Sequence, residues 1–106
     1  MNSYHLLEWG KPLQLRLHEV PVPQGAEVLV KIEAAGVCHS DLHIRDGYFD
    51  PGSGRRLTAE QFGSKLPLTM GHEMASSVAA KGPNATSPQI GTKVVVYPWI
   101  GCGSCR

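Results

Sequence analysis

The sequence predicts a mainly β fold. Apolar residues occupy alternate positions in residues 13–17 and again in residues 28–32, which is the period of half-buried strands. Between the two stretches, Pro21, Pro23 and Gly25 favour a turn, because proline fixes φ and glycine tolerates positive φ. We therefore expect two strands that are antiparallel neighbours.

After Gly36 the alternation stops and a short helix is predicted over residues 40–45. Ser40 or His39 can cap its start, and Gly47 is suited to end it, since glycine adopts the left-handed conformation common after a helix.

The remaining segments add one long polar loop and two strands. The loop covers residues 48–65, with one helical turn predicted at 58–62, and loops of this length are often functional rims. Strands are predicted at 76–80 and 92–97, on either side of a turn at 82–84. The expected architecture is β-rich with short helical pieces.

Composition narrows the class of function. The chain has 106 residues, enough for one domain with a modest core, and a net charge of +1 with no basic run, so no nucleic-acid partner is expected. No apolar stretch approaches the roughly 20 residues of a membrane span, and His5 and Glu8 occupy the place of a secretory apolar segment. Three cysteines, an odd number, favour thiol or metal chemistry over disulfides. A cytoplasmic protein without a membrane partner is predicted.

Two short segments concentrate metal-ligating side chains. Residues 36–43 contain a cysteine, two histidines, a serine and an aspartate, and residues 71–73 are Gly-His-Glu. Thiolate, imidazole and carboxylate are the ligands that zinc prefers. Elsewhere, His5 and His18 have no partners at ligand spacing, so they are predicted to be structural or solvent-facing.

Cys102 and Cys105 form a Cys-x-x-Cys pair near the end of the chain. Such a pair is half of a zinc site or a redox pair, and one copy does not decide between them.

The order of these motifs resembles the zinc-dependent alcohol dehydrogenases of the medium-chain dehydrogenase/reductase family. The resemblance rests on Gly-Val-Cys-His-Ser-Asp-Leu-His, then a long loop, then Gly-His-Glu, then Val-Val-Val-Tyr-Pro-Trp-Ile-Gly-Cys-Gly-Ser-Cys. It implies a GroES-like, partly open β-barrel with short helices, followed in complete members by a Rossmann domain that binds NAD or NADP. Residues 1–106 would be the N-terminal part of the catalytic domain, truncated before the Rossmann domain, since no Gly-x-Gly-x-x-Gly is present.

The resemblance implies a ligand set for a catalytic zinc ion. Cys38 and His72 would be ligands, as in the Cys₂His set known for alcohol dehydrogenase, with Glu73 as a third. Asp41 resembles the carboxylate that holds the imidazole of His72 and fixes its tautomer.

It also implies roles around the metal. Zinc acts as a Lewis acid on an alcohol hydroxyl, Ser40 accepts the proton, and His43 passes it outward. His39 resembles the residue that meets the cofactor pyrophosphate. Trp99 resembles a substrate-pocket residue, with a place in the core as an equal alternative. Cys102 and Cys105 resemble the first two of four cysteines in a structural zinc lobe.

Two positions depart from the family pattern. Ser76 stands where a glycine is usual, and Thr92 stands where an aspartate is usual. They affect the expected backbone path and leave the ligands in place.

Two interpretations follow. In the first, the chain belongs to a complete dehydrogenase that takes a small alcohol or aldehyde, and the 106-residue chain alone is inactive. Homo-oligomerisation of the complete protein is left open. In the second, the segment is a stand-alone GroES-like module that binds a metal or a partner and catalyses nothing.

Overall fold

The structure is a computed structural model that describes residues 1–52, 54–99, 102 and 104. The elements in chain order are β1 (Asn2–Leu6), β2 (Gln14–Leu17), β3 (Val28–Ala35), α1 (His39–Asp46), β4 (Tyr48–Phe49), β5 (Leu57–Thr58), a 3-10 turn (Glu60–Phe62), β6 (Leu68–Thr69), β7 (Met74–Lys81) and β8 (Lys93–Val96). The prediction of a mainly β chain with short helical pieces is confirmed.

The chain divides into two compact units, each built from two separate stretches. Unit 1 contains Met1–Val20 and Val37–Gly71, and unit 2 contains Pro21–Gly36 and His72–Arg106.

Unit 1 contains a three-stranded antiparallel sheet in the order β2-β1-β6. Tyr4 of β1 lies opposite Leu15 of β2, and Leu6 lies opposite Leu68 of β6. Leu6 is fully buried and Ala59 nearly so. Among the described residues of unit 1, these two are the buried apolar ones.

The expectation of a half-buried strand at residues 13–17 is wrong in one respect. β2 forms there, but all four of its residues are exposed, with Leu15 48% and Leu17 80% accessible. The apolar residues of β2 are therefore largely open to solvent. The expected pairing is wrong as well, since β2 pairs with β1, whereas β3 pairs with β7.

Helix α1 ends where the sequence predicts, at Gly47 with φ 80°. The Gly47 amide donates to the carbonyls of His43 and Ile44, and its carbonyl accepts from the Ala59 amide at 2.8 Å. A Cβ atom at Gly47 would lie 2.7 Å from the Cγ atom of Trp9. Both the backbone angle and the close indole ring therefore require glycine at this position.

The long loop after α1 contains regular structure. β4 and β5 form an antiparallel ribbon, and the predicted helical turn is present as the 3-10 turn Glu60–Phe62. The indole Nε1–H of Trp9 donates to the carboxylate of Glu60. The guanidinium of Arg56 lies over the ring of Tyr48, 4.4 Å from its centroid, within the range of a cation–π contact.

Unit 2 contains a three-stranded antiparallel sheet in the order β3-β7-β8. The predicted strands at 76–80 and 92–97 are confirmed as β7 and β8. Ser76 and Val78 are buried on one face of β7, 3% and 2% accessible, as the alternation of a strand requires.

Two predicted turns of unit 2 meet through their backbones. The Gly82 amide donates to the Glu27 carbonyl at 2.9 Å, and the Asn84 amide donates to the Gly25 carbonyl at 2.8 Å. A Cβ atom at Gly82 would lie 2.4 Å from the Gly25 oxygen, so the approach needs a residue without a side chain.

Within the described parts of the chain, every helix is too short and too polar to cross a lipid bilayer.

Candidate metal centre

Cys38 begins α1 as its N-cap residue, in place of the predicted Ser40 or His39. Its backbone is extended, and its Sγ atom accepts a hydrogen bond from the Ser40 amide at 3.3 Å. The side chain is half-buried. The sulfur therefore lies at the amino end of a helix, where backbone N–H groups and the helix dipole favour negative charge.

Asp41 completes a capping box with Cys38. The Asp41 carboxylate accepts from the Cys38 amide at 2.9 Å, and the Asp41 amide donates to the Cys38 carbonyl at 3.1 Å. Asp41 is 7% accessible. These bonds fix the backbone of Cys38. The predicted contact of Asp41 with the imidazole of His72 stays a prediction.

A pattern in the sequence could have indicated this cap. A small polar side chain followed three residues later by an acidic residue is the sequence sign of a capping box, and Cys38 with Asp41 fits it. The observed cap precedes the predicted positions His39 and Ser40, and cysteine is not among the usual N-cap residues.

His39 and His43 lie one turn apart on α1 and stack. Their ring centroids are 4.7 Å apart with planes 11° from parallel, and the ring of Phe49 meets His43 edge-on at 4.9 Å. His39 and Ser40 are exposed and His43 is half-buried. The three side chains assigned to proton and cofactor handling thus occupy the first turns of one helix.

In unit 2, the start of the first motif is held against the second motif. Ala35 pairs with Met74 at the end of β3, and the Gly36 amide then donates to the Glu73 carbonyl at 2.9 Å. A Cβ atom at Gly36 would lie 2.2 Å from the Oε2 atom of Glu73. The carboxylate of Glu73 therefore occupies the space that a side chain at Gly36 would take.

His72 and Glu73 are the two ligand candidates of unit 2. A ring nitrogen of His72 and a carboxylate oxygen of Glu73 lie within 4.8 Å of each other. His72 is half-buried and Glu73 is exposed. Adjacent residues in extended backbone usually point to opposite sides, so their proximity here indicates that the chain is not a regular strand at this point, consistent with β7 starting at Met74.

The other predicted site residues lie near the end of the chain. Trp99 is 76% accessible, so the alternative of a buried core position does not hold in this structure. Cys102 is exposed and its sulfur accepts from the Ser104 hydroxyl at 3.5 Å. Cys105 lies outside the described residues, so the predicted pair of Cys102 and Cys105 stays a prediction.

Comparison with known proteins identifies the family. Residues 24–106 match the family model of the alcohol dehydrogenase GroES-like domain. The chain belongs to that family. An NAD-dependent alcohol dehydrogenase of Sulfurisphaera tokodaii is 46% identical over 105 residues, which are 99% of this chain and 29% of the relative.

Solved structures agree with the assignment to the GroES-like family. The alcohol dehydrogenase of Aeropyrum pernix superposes with a TM-score of 0.78 at 30% identity, over 99% of this chain and 28% of that chain. An alcohol dehydrogenase zinc-binding domain protein of Burkholderia ambifaria superposes with a TM-score of 0.75 at 32% identity, over 98% of this chain and 24% of that chain. The predicted GroES-like fold is confirmed, although the described strands form open sheets and no closed barrel. The GroES-like chain spans about 29% of the length of the Sulfurisphaera relative.

Proposed function

We propose that this GroES-like segment is the N-terminal part of the catalytic domain of a zinc-dependent alcohol dehydrogenase. The complete protein would transfer hydride between a small alcohol or aldehyde and NAD or NADP. The NAD-dependent alcohol dehydrogenase of Sulfurisphaera tokodaii supports the reaction class. The similarity to the zinc-binding domain protein of Burkholderia ambifaria supports the proposal that the metal is zinc.

The observation that carries the proposal is the backbone hydrogen bond from Gly36 to Glu73. Gly36 begins the segment that contains Cys38, and Glu73 ends the Gly-His-Glu segment. Two further residues of chain cover at most about 7 Å. This short connection supports the proposal that Cys38 and His72 serve one metal ion.

The donor set fits zinc. Cys38, His72 and Glu73 each offer one ligand atom, a sulfur, a nitrogen and an oxygen, and zinc binds all three types. When bound, zinc would supply a Lewis acid and the nicotinamide would supply the hydride acceptor. Asp41 is proposed to hold the imidazole of His72.

The proton route is proposed along α1. Ser40 would accept the substrate proton, and His43, three residues later, shares its side of the helix. The stacked and exposed His39 would then lie where the cofactor pyrophosphate arrives. In the complete enzyme, His43→Gln should lower turnover mainly at low pH, where direct loss of the proton to water is slow.

Trp99, with its exposed indole, would line the pocket for the alcohol or aldehyde. Cys102 and Cys105 would be two ligands of a structural zinc ion in the complete protein. A cytoplasmic location is proposed because the metal-binding thiolates must stay reduced, and no nucleic-acid or membrane partner is part of the proposal.

Zinc titration of the chain tests the metal assignment. Cys38→Ser should weaken zinc binding at least about tenfold, the lower end of the cost of losing even an outer partner of a metal site. Cys102→Ser is the matched control and should change it less. Competition with a chromophoric chelator measures both, and equal losses in the two variants would contradict the role of Cys38.

Steady-state assay of the purified chain tests the need for the remainder of the polypeptide. Hydride transfer requires the nicotinamide within about 3–3.5 Å of the substrate carbon, and a phosphate-binding turn normally holds the cofactor there. The 106-residue chain should therefore produce no NADH from primary or secondary alcohols with zinc supplied. Zinc-dependent turnover would refute this part of the proposal.

A further inference from the structure

Two histidines that lie thirteen residues apart in the chain meet in unit 1. The Nε2 atoms of His5 and His18 are 3.1 Å apart, and their rings stack with centroids separated by 4.8 Å. The hydroxyl of Ser3 lies 2.9 Å from the same Nε2 atom of His5. We propose that this histidine pair, with Ser3, is a binding site for a divalent transition-metal ion of the nickel, copper and zinc group.

Strand pairing explains how the three side chains come to one face. β1 and β2 are antiparallel, and the His18 amide extends the ladder by donating to the Met1 carbonyl at 2.9 Å. Ser3 and His5 lie two residues apart on β1, so they share a face. His18, opposite Met1 in this register, belongs to the same face.

The contacts around His5 exceed what one ring nitrogen can satisfy. A neutral imidazole nitrogen carries either one lone pair or one N–H. It therefore cannot form a strong hydrogen bond with both the Ser3 hydroxyl and His18. A metal ion resolves the conflict, because each histidine then directs a lone pair at the ion and the Ser3 oxygen takes a third, weaker position.

The nitrogen separation is suited to a single ion. At metal–nitrogen distances of about 2.0–2.1 Å, nitrogens 3.1 Å apart subtend roughly 95–102° at the metal. That angle lies between the values for square or octahedral and for tetrahedral coordination. His18 is exposed, so an ion can enter directly from solvent and water can complete its coordination.

Two neighbouring positive charges oppose binding, and the first is the N-terminal ammonium of Met1, which donates to the carbonyl of His18. Arg16 lies opposite Ser3 in the sheet, and its guanidinium donates to the Gln14 side chain at 3.2 Å. Because like charges repel, Arg16→Gln should strengthen the binding of a cation. A merely structural histidine pair would not predict this effect.

The experiment uses the 106-residue chain carrying Cys38→Ser, His72→Asn, Cys102→Ser and Cys105→Ser, so that neither proposed zinc centre can contribute. Ni²⁺ is added at neutral pH, and paramagnetic broadening of the histidine ring signals is followed by NMR. The signals of His5 and His18 should broaden first. Addition of His18→Asn should weaken Ni²⁺ binding at least about tenfold, since it converts a chelate into a single imidazole ligand.

His39→Asn is the matched control, because His39 and His43 form a second stacked pair with nearly the same centroid distance. It should leave the broadening of His5 and His18 unchanged, and Arg16→Gln should increase Ni²⁺ affinity. Broadening confined to His39 and His43, or equal binding by His18→Asn and its parent, would overturn the proposal. Either result leaves the proposed dehydrogenase function untouched, since the two sites share no residue.

Discussion

Gly47→Ala should destabilise unit 1 through two separable effects. At φ 80° an alanine pays the cost of the left-handed conformation, about 1–2 kcal/mol. Its Cβ atom would also lie 2.7–2.9 Å from three atoms of Trp9. Such overpacking costs about 1–3 kcal/mol. The expected loss in free energy of unfolding is therefore about 2–5 kcal/mol.

Gly10→Ala is the matched control. Gly10 lies in the same unit at φ 72°, yet a Cβ atom there meets nothing within 4 Å. Gly10→Ala should lower the free energy of unfolding by the cost of the left-handed conformation alone, about 1–2 kcal/mol. The difference between the two variants isolates the contact with Trp9.

Urea unfolding followed by Trp9 fluorescence measures that difference. A Trp99→Phe background removes the second, exposed indole. With a slope of about 1–3 kcal/mol per molar urea, the midpoint of Gly47→Ala should fall about 1 M below that of Gly10→Ala. Equal midpoints would refute the argument that the indole ring restricts this position.

Three further predictions follow from other positions. Ser76→Ala should raise the free energy of unfolding by about 1 kcal/mol, because the buried Ser76 hydroxyl has no hydrogen-bond partner among the described residues. Calorimetry measures this change, with Ser77→Ala as the control. A lower free energy of unfolding in Ser76→Ala would contradict the prediction. The pKa of Glu60 is held below its ordinary 4.5 by its own backbone amide and then by the Trp9 indole, so the stability it contributes is present above pH 4.5 and lost as pH falls further. Trp9 fluorescence should titrate below pH 4.5, and the transition should be absent in Glu60→Gln. In the complete dehydrogenase, Ser40→Ala should lower turnover about 10²-fold with zinc content unchanged, and an unchanged rate would remove Ser40 from the proton route.

Elements that depend on local sequence could be predicted, and pairings between distant segments could not. Gly47 ends α1 because a left-handed residue is needed there, which the sequence displays directly. β1 could not be predicted because Asn2–Leu6 contains only two bulky apolar residues. Without β1, its partner β2 was assigned to the wrong neighbour.

The candidate site shows the same division. The segments that contain Cys38 and His72 could be found from residue types and from resemblance to a family. The hydrogen bond from Gly36 to Glu73 could not be predicted, because it depends on the register of β3 against β7. The contact between His5 and His18 could not be predicted from the sequence either, since thirteen residues separate them. The pairing of β1 with β2 brings them together.

The division of the chain into two interleaved units has a consequence for synthesis on the ribosome. Each unit joins an early stretch to a later one, so the polypeptide changes unit after Val20, after Gly36 and again after Gly71. β3 must wait for β7, some forty residues later, before its ladder can form. During translation at about 5–20 residues per second, β3 therefore stays unpaired with β7 for seconds. In that interval the backbone N–H and C=O groups of β3 are without their native partner strand.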